Sequence, residues 1–468
     1  MDIDWKNIVK SRKEEIINTT IEFLSIPSIL DDSTKAKGEP FGRDVKEALE
    51  YLLQKGEKDK FFVKNLDGYA GHIQLGNTSE YVGVLCHVDV VPAGSGWSGD
   101  PFTPRIEEGK IYARGAVDDK GPAVAAYYAM KLIQDLGLPL HRSVRLILGT
   151  DEESQWRCVD HYFKKENQPL TGFSPDAEFP VIFAEKGIID GSLSMEIQDT
   201  DKNRSRLRKL KAGHRLNMVP DLAEAVLEAE EDKLKKWKSD FEAWLDKREF
   251  TGKAAINDGL ELTLEGRSSH GSEPQRGENA AVRMAEFLIN LPFPEITTSF
   301  LRVIAERLSD YKGEKAGLAL EDDVSGHLTI NPGIVHYDGM GAEIGMNIRY
   351  PVRTSYEQVT RLLNQFSEET GMKWAEQEHQ PPHDNDPESP LVQNLLHVYQ
   401  KHTNDLSGPI AIGGGTYARA MQEGVAFGPV FPGREDVAHE KNEYISVDDL
   451  LACTAIYAEA IYMLAGRD

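Results

Sequence analysis

The sequence predicts an α/β protein built on an open, largely parallel sheet and interrupted by an α+β insertion. Tyr81–Leu85 (YVGVL) and Val144–Leu148 (VRLIL) are short β-rich runs, and Ala123–Leu136 between them has helical character. From about Gly187 the pattern changes to alternating strand-like segments (GSLSMEI, GLELTLEG) mixed with helices. A strand, a helix and a second strand in succession form the unit from which parallel sheets are made. Ligands of such sheets bind beyond the carboxyl ends of the strands, where His87 and Glu152 fall.

The remaining elements follow in order. Ile8, Ile16, Ile17, Ile21 and Phe23 recur at near-helical spacing, so a helix is expected over Trp5–Leu24, closed by Pro27. Within the insertion, helices are expected over Glu228–Leu245, whose charge pattern reads as a solvated face, and over Ala280–Leu291. After Pro381 and Pro382 the polar HDNDPESP reads as a linker, followed by a helix from Leu391 and a glycine loop, IGGGT, at 412–416. Residues 1–186 and 381–468 are thus expected to form one domain and 187–380 an inserted second one. Trp5, Trp97 and Trp156 are read as core-filling side chains.

Composition narrows the function. The 468 residues suffice for about two to four domains. The net charge of −24 repels nucleic acid and anionic membranes, which leaves a small or zwitterionic ligand as the better partner. Cys86, Cys158 and Cys453 have no paired spacing, which argues against a disulfide framework and for a reducing compartment. The N-terminus lacks a basic cluster followed by an apolar stretch, so a cytoplasmic protein is expected. The apolar segment around Leu450–Leu464 falls short of the roughly 20 residues needed to cross a bilayer and reads as a packed helix.

Five short motifs carry potential chemistry. In Cys86-His87-Val88-Asp89, the histidine and aspartate lie two apart on extended backbone, so Asp89 is placed to orient the imidazole of His87. In Arg114-Gly115-Ala116-Val117-Asp118-Asp119-Lys120-Gly121, adjacent acids sit among glycines, and one carboxylate can bridge two cations. In Thr150-Asp151-Glu152-Glu153, three consecutive acids would repel one another unless a cation or proton intervenes. One of them can ligate a metal while its neighbour takes a proton from water. Asp176 (SPDAE) and His439 (AHEKNE) complete a set of two histidines and three carboxylates. That set suits a pair of borderline cations such as zinc. Taken alone, each motif has an ordinary alternative: a hydrogen-bonded buried histidine, an Asp-Asp turn, or acids in a first helical turn.

Across essentially the whole chain, HVDVVPAG, GWSGDPF, ARGAVDDKGP, GTDEES, SPDAEFP, EGRSSHGSEP, NIRYP, IGGGTYAR and HEKNEYI follow one another in sequence. In this the chain resembles the co-catalytic zinc peptidases that include aminoacylases, carnosinases and succinyl-diaminopimelate desuccinylases, and among them the bacterial PepV-type dipeptidases. The resemblance implies an open mixed sheet with helices on both faces and an inserted α+β lid domain. It implies two Zn²⁺ per chain, with Mn²⁺ or Co²⁺ as substitutes. His87 and Asp176 would hold one metal, Glu153 and His439 the other, and Asp119 would bridge them. Glu152 would be the general base, Asp89 the partner of His87, and His270 the stabiliser of the transition state. Asn217, Arg349, Gly415 and Thr416 would contact substrate; a guanidinium and exposed backbone N–H groups suit a terminal carboxylate. The implied activity is hydrolysis of small dipeptides with free termini. An N-acyl amino acid deacylase and a non-catalytic zinc-binding relative are the alternatives. An insertion of this size implies a monomer.

Overall fold

The computed structural model describes residues 3–197 and 205–466. The chain divides into two compact units: residues 1–183, 385–410 and 416–468 form the first, and residues 184–384 with 411–415 the second. The short segment 411–415, part of the glycine loop, thus belongs with the insertion.

The first unit is organised by a mixed sheet. Its strands run in the order Phe62–Leu66, Ala70–Leu75, Ser143–Gly149, Tyr81–His87, Thr171–Ser174 and Gly424–Ala426, continuing to Ile182. Tyr81–His87 runs parallel to both of its neighbours, and Gly424–Ala426 runs parallel to Thr171–Ser174. The pairings towards either edge are antiparallel. A central parallel strand is covered on both faces, which is why every residue of YVGVLCH is buried and the run is continuously apolar up to His87. Helices Lys120–Asp135 and Val447–Ala465 pack together and against Tyr81–His87. On the other side, Leu85 and Ile147 join Cys158, Tyr162 and Tyr417 in a second core. This is the expected open mixed sheet with helices on both faces.

The second unit is an eight-stranded antiparallel sheet, in which Thr329–Tyr337, Gly341–Tyr350, Gly187–Glu196 and Lys373–Gln380 lie side by side. Helices Glu231–Arg248, Ala280–Leu288 and Tyr356–Thr370 contribute to its core. The charged helix does more than face solvent. Leu234, Trp237, Phe241 and Leu245, spaced three and four apart, form a buried stripe beneath its lysines and acids.

Several expectations shift in detail. The first helix is broken at Arg12 into Trp5–Ser11 and Lys13–Leu24. Trp5 is buried, but Trp97 and Trp156 are only partly so; Trp97 lies 5.3 Å from the Arg114 guanidinium and Trp156 packs on Tyr417. All three cysteines are buried and free. Among the described residues, no helix is long and apolar enough to cross a membrane.

The sheet's interior leaves no room at Gly172, where a methyl group would sit 2.4 Å from the Gly83 carbonyl oxygen and 2.8 Å from Met421 Sδ. Gly172→Ala should therefore destabilise the first unit by about 1–3 kcal/mol, read as a lower urea midpoint. An unchanged midpoint would show that these parallel strands can separate freely.

Candidate active site

The first unit gathers its polar side chains where the parallel strands end. His87 is the last residue of its strand, Glu152 and Glu153 follow Ser143–Gly149, and Asp176 follows Thr171–Ser174. Asp118 lies in the turn before Lys120–Asp135, and His439 in the loop before Tyr444–Ser446. The strand ends converge because neighbouring strands are parallel and in register, His87 pairing with Gly149.

Asp118 is the centre of the group. Its Oδ1 lies 2.9 Å from His87 Nε2 and its Oδ2 3.0 Å from His439 Nε2. His87 Nε2 is also 3.7 Å from Asp176 Oδ1, and His439 Nε2 is 3.0 Å from Glu153 Oε1. Three groups emerge whose donor atoms lie within 4.8 Å of one another: His87, Asp118 and Asp176; Asp118, Glu153 and His439; and His87, Glu152 and Glu153.

The expectation for Asp119 is corrected by this geometry, since it belongs to none of these groups. Its fully buried carboxylate accepts the backbone N–H of His87 at 3.0 Å. Adjacent residues of a turn project in different directions, and here the outward one is Asp118. Nothing in the spacing of Asp-Asp distinguishes the two.

Asp89 lies beside His87 as expected, and holds it chiefly through its backbone. His87 Nδ1 lies 2.9 Å from the backbone carbonyl of Asp89, and a carbonyl can only accept, so Nδ1 donates and Nε2 is left to face the carboxylates. The Asp89 carboxylate, 3.6 Å from Nδ1 at its nearest, instead accepts the N–H groups of Glu152 and Glu153 at 3.2 and 3.1 Å. It orders the two glutamates more directly than the imidazole.

The charges demand compensation. Burial raises the Glu152 carboxyl well above its ordinary range, with Asp176 adding repulsion. Burial and the facing Asp118 push Glu153 up to about 7 and Asp176 up to about 6. Burial opposes protonation of His439, yet hydrogen bonds to Asp118 and Glu153 push it up to about 11. Carboxylates that resist ionisation beside histidines that hold protons are the signature of a site lacking enough positive charge of its own. The donors fit metal ions. Atoms bound to one four-coordinate zinc at about 2.1 Å lie about 3.4 Å apart, and the N···O separations above, from 2.9 to 3.7 Å, bracket that value.

Two further residues, missed in the sequence, frame this group: Glu443 and Arg114 are buried together and bonded at 2.7 Å. Their only sequence signal is membership of the same motifs as Asp118 and His439.

In the second unit, Asn217, His270 and Arg349 are drawn together through backbone and buried amides. Met218 and His270 form a β-bridge, and the Gly271 N–H donates to the Asn217 carbonyl at 2.7 Å. His270 is exposed, with Nδ1 2.6 Å from Ser272 Oγ. Arg349 is only 5% exposed; its Nε donates to Asn347 Oδ1 at 2.8 Å and one terminal nitrogen to the Gly413 carbonyl at 3.2 Å. Asn347 in turn donates to Asp190 at 2.5 Å. Gly415 is the last residue of the second unit's loop segment, whereas Thr416 belongs to the first unit, where its hydroxyl accepts the Ala418 N–H.

Comparison with known proteins agrees with this architecture. The family model described as peptidase family M20/M25/M40 matches residues 83–463. The chain is 48% identical, over 99% of its length and 100% of the relative's, to the Bacillus subtilis protein named "Putative dipeptidase YtjP". Among solved structures, the dipeptidase Dug1p of Saccharomyces cerevisiae superposes with a TM-score of 0.57 at 13% identity, covering 99% of this chain and 98% of that one. The metallo-carboxypeptidase Sso-CP2 of Sulfolobus solfataricus, of the M20 family, does so with a TM-score of 0.56 at 18% identity, covering 96% and 99%. At such identities the structural likenesses speak for the fold, and with the family match and the full-length relative they place this chain in peptidase family M20/M25/M40.

Proposed function

We propose that the protein is a metal-dependent dipeptidase whose first unit holds two divalent ions through Asp118. The observation that carries this reading is the placement of the two Asp118 oxygens against two different histidines. His87 and Asp176 would complete one site, Glu153 and His439 the other. Zinc suits these nitrogen and oxygen donors, and Mn²⁺ or Co²⁺ could replace it because such sites discriminate weakly by affinity alone. Bound there, the ions would supply Lewis acidity towards a peptide carbonyl and lower the pKa of water.

The chain's own groups would do the rest. Glu152, next to Glu153 and held at its backbone N–H by Asp89, would accept a proton from water and return it to the leaving amine. His270, exposed on its loop, offers an imidazole for a developing oxyanion. Arg349 is held by Asn347, itself held by Asp190, so its guanidinium is preorganised for a substrate carboxylate. Asn217 and the loop of Gly413 to Thr416 would add polar contacts around it. Dipeptides fit such a site best, in keeping with the name of the full-length relative. A monomeric, cytoplasmic enzyme accords with the size of the insertion and with three cysteines that form no disulfide.

Metal analysis of active protein should find two divalent ions per chain; chelation should abolish turnover and re-addition restore it. Asp118→Asn should remove metal and activity together, whereas Asp119→Asn, which keeps an acceptor for the His87 N–H, should retain both ions. The reverse ranking would return the bridging role to Asp119.

Glu152→Gln should retain both ions and lower kcat by about 10²–10⁴. Loss of metal from this variant would make Glu152 a ligand instead of a base.

Free dipeptides should be cleaved far better than tripeptides, dipeptide amides or N-acetyl amino acids. A buried guanidinium facing an amide forfeits charge-assisted bonds worth about 1.5–3 kcal/mol each. Arg349→Ala should accordingly narrow the preference for dipeptides over their amides. Equal kcat/KM of the unaltered enzyme for N-acetyl amino acids and dipeptides would overturn the dipeptidase assignment.

A further inference from the structure

Arg114 and Glu443 take no part in the chemistry proposed above, yet both are almost wholly enclosed, at 1% and 0% exposure. Burying an ion pair gives little net stability, because desolvation of the two charges offsets their attraction, and apolar side chains of similar volume often serve as well. The pair therefore calls for an explanation other than adhesion.

Its hydrogen bonds supply one. Glu443 Oε2 accepts Arg114 Nη1–H at 2.7 Å and the Gly115 N–H at 3.1 Å, while Oε1 accepts the N–H groups of Val117 at 2.9 Å and Asp118 at 3.3 Å. Both oxygens are thus wrapped by the turn that ends in Asp118. Arg114 reaches in the opposite direction, its Nη2 donating to the backbone carbonyl of His439 at 3.2 Å and, more weakly, to that of Ala93 at 3.4 Å. The backbone of Glu443 is tied in as well, its carbonyl accepting the Ala113 N–H at 3.1 Å. Two segments more than 300 residues apart in sequence are joined here, and each carries one of the groups that meet at 3.0 Å, Asp118 Oδ2 and His439 Nε2. The His439 side chain is itself 52% exposed, so packing does little to hold it.

We propose that Arg114 and Glu443 are positioning residues: Glu443 shapes the turn that presents the Asp118 carboxylate, and Arg114 tethers the His439 backbone to that turn. The inference rests on the two-metal reading above. The two residues have separable consequences. Glu443 acts on Asp118, which faces both histidines, so its loss should be felt in both metal sites. Arg114 alone contacts the His439 carbonyl, so replacing its fork should act chiefly on the site containing His439.

The test uses the full-length chain, stripped of metal and titrated with Zn²⁺ against a competing chelator. The stepwise affinities are read for the unaltered protein, Glu443→Gln and Arg114→Lys, and His439→Ala identifies which step belongs to the second site. Thermal melts of the metal-free proteins run alongside. Glutamine must turn an amide N–H towards one of the two pairs of donors, so Glu443→Gln should weaken both steps by about 10–100-fold. Arg114→Lys should weaken the His439 step by about tenfold and leave the other within about threefold. Variants that melt earlier but bind both ions with unaltered affinity would reduce the pair to a structural role and overturn the proposal. Should Glu443→Gln fail to fold, the site-selective loss in Arg114→Lys decides the matter alone. Fewer than two ions on the unaltered protein would defeat the two-metal reading itself, whereas two ions bound with unaltered affinity by both Glu443→Gln and Arg114→Lys defeat only the positioning role.

Discussion

Electrostatic crowding is the constraint around which the first unit is arranged. Asp118, Glu152, Glu153 and Asp176 converge around His87 and His439. Like charges at about 4 Å repel by about 4 kcal/mol at the effective dielectric of a protein surface, and by more when buried. No chain would hold four carboxylates so closely for stability alone. Asp118 moderates the crowding by facing both imidazoles, whose hydrogen bonds keep its carboxyl well below the ordinary range despite burial. The neighbouring carboxyls are pushed the other way.

The fold sustains this arrangement by making it expensive to relax. His87 sits at the end of a strand buried on both faces, and its Nδ1 is committed to the Asp89 carbonyl. Glu152 and Glu153 are anchored through their backbone N–H groups to the Asp89 carboxylate, which leaves their side chains directed into the cluster. Lys120, buried beside the Asp-Asp turn, donates to the Phe23 and Ile26 carbonyls and so ties the start of its helix to the N-terminal helical region.

The second unit uses neutral amides for the same purpose. Asn331 is fully buried and donates to the carbonyls of Leu216 and Met218, on either side of Asn217. Met218 bridges to His270, and Asn347 links Asp190 to Arg349. An amide has both donors and acceptors, so it can join backbone to a guanidinium without adding a charge to an already acidic protein.

What could be read from the residues alone was periodic or local. Continuous apolar runs ending in His87 and before Glu152 marked parallel strands, and the change of pattern near Gly187 marked an insertion, because side-chain periodicity follows directly from backbone geometry. Motif order pointed to the family. Direction in space was not legible. Asp118 and Asp119 are chemically identical neighbours, and only the path of the turn sends one to the two histidines and the other to the His87 backbone. The Asp89 carboxylate looked like a partner for His87 two residues away, but its hydrogen bonds go to Glu152 and Glu153, more than 60 residues along the chain. Arg114 and Glu443 stood in the motifs of Asp118 and His439, but their pairing was not legible, since a buried ion pair across 329 positions exists only once the chain has folded. Sequence determined the element types and the supply of donors; tertiary structure decided which carboxylate faces which imidazole, because that depends on side-chain direction and on contacts between distant segments.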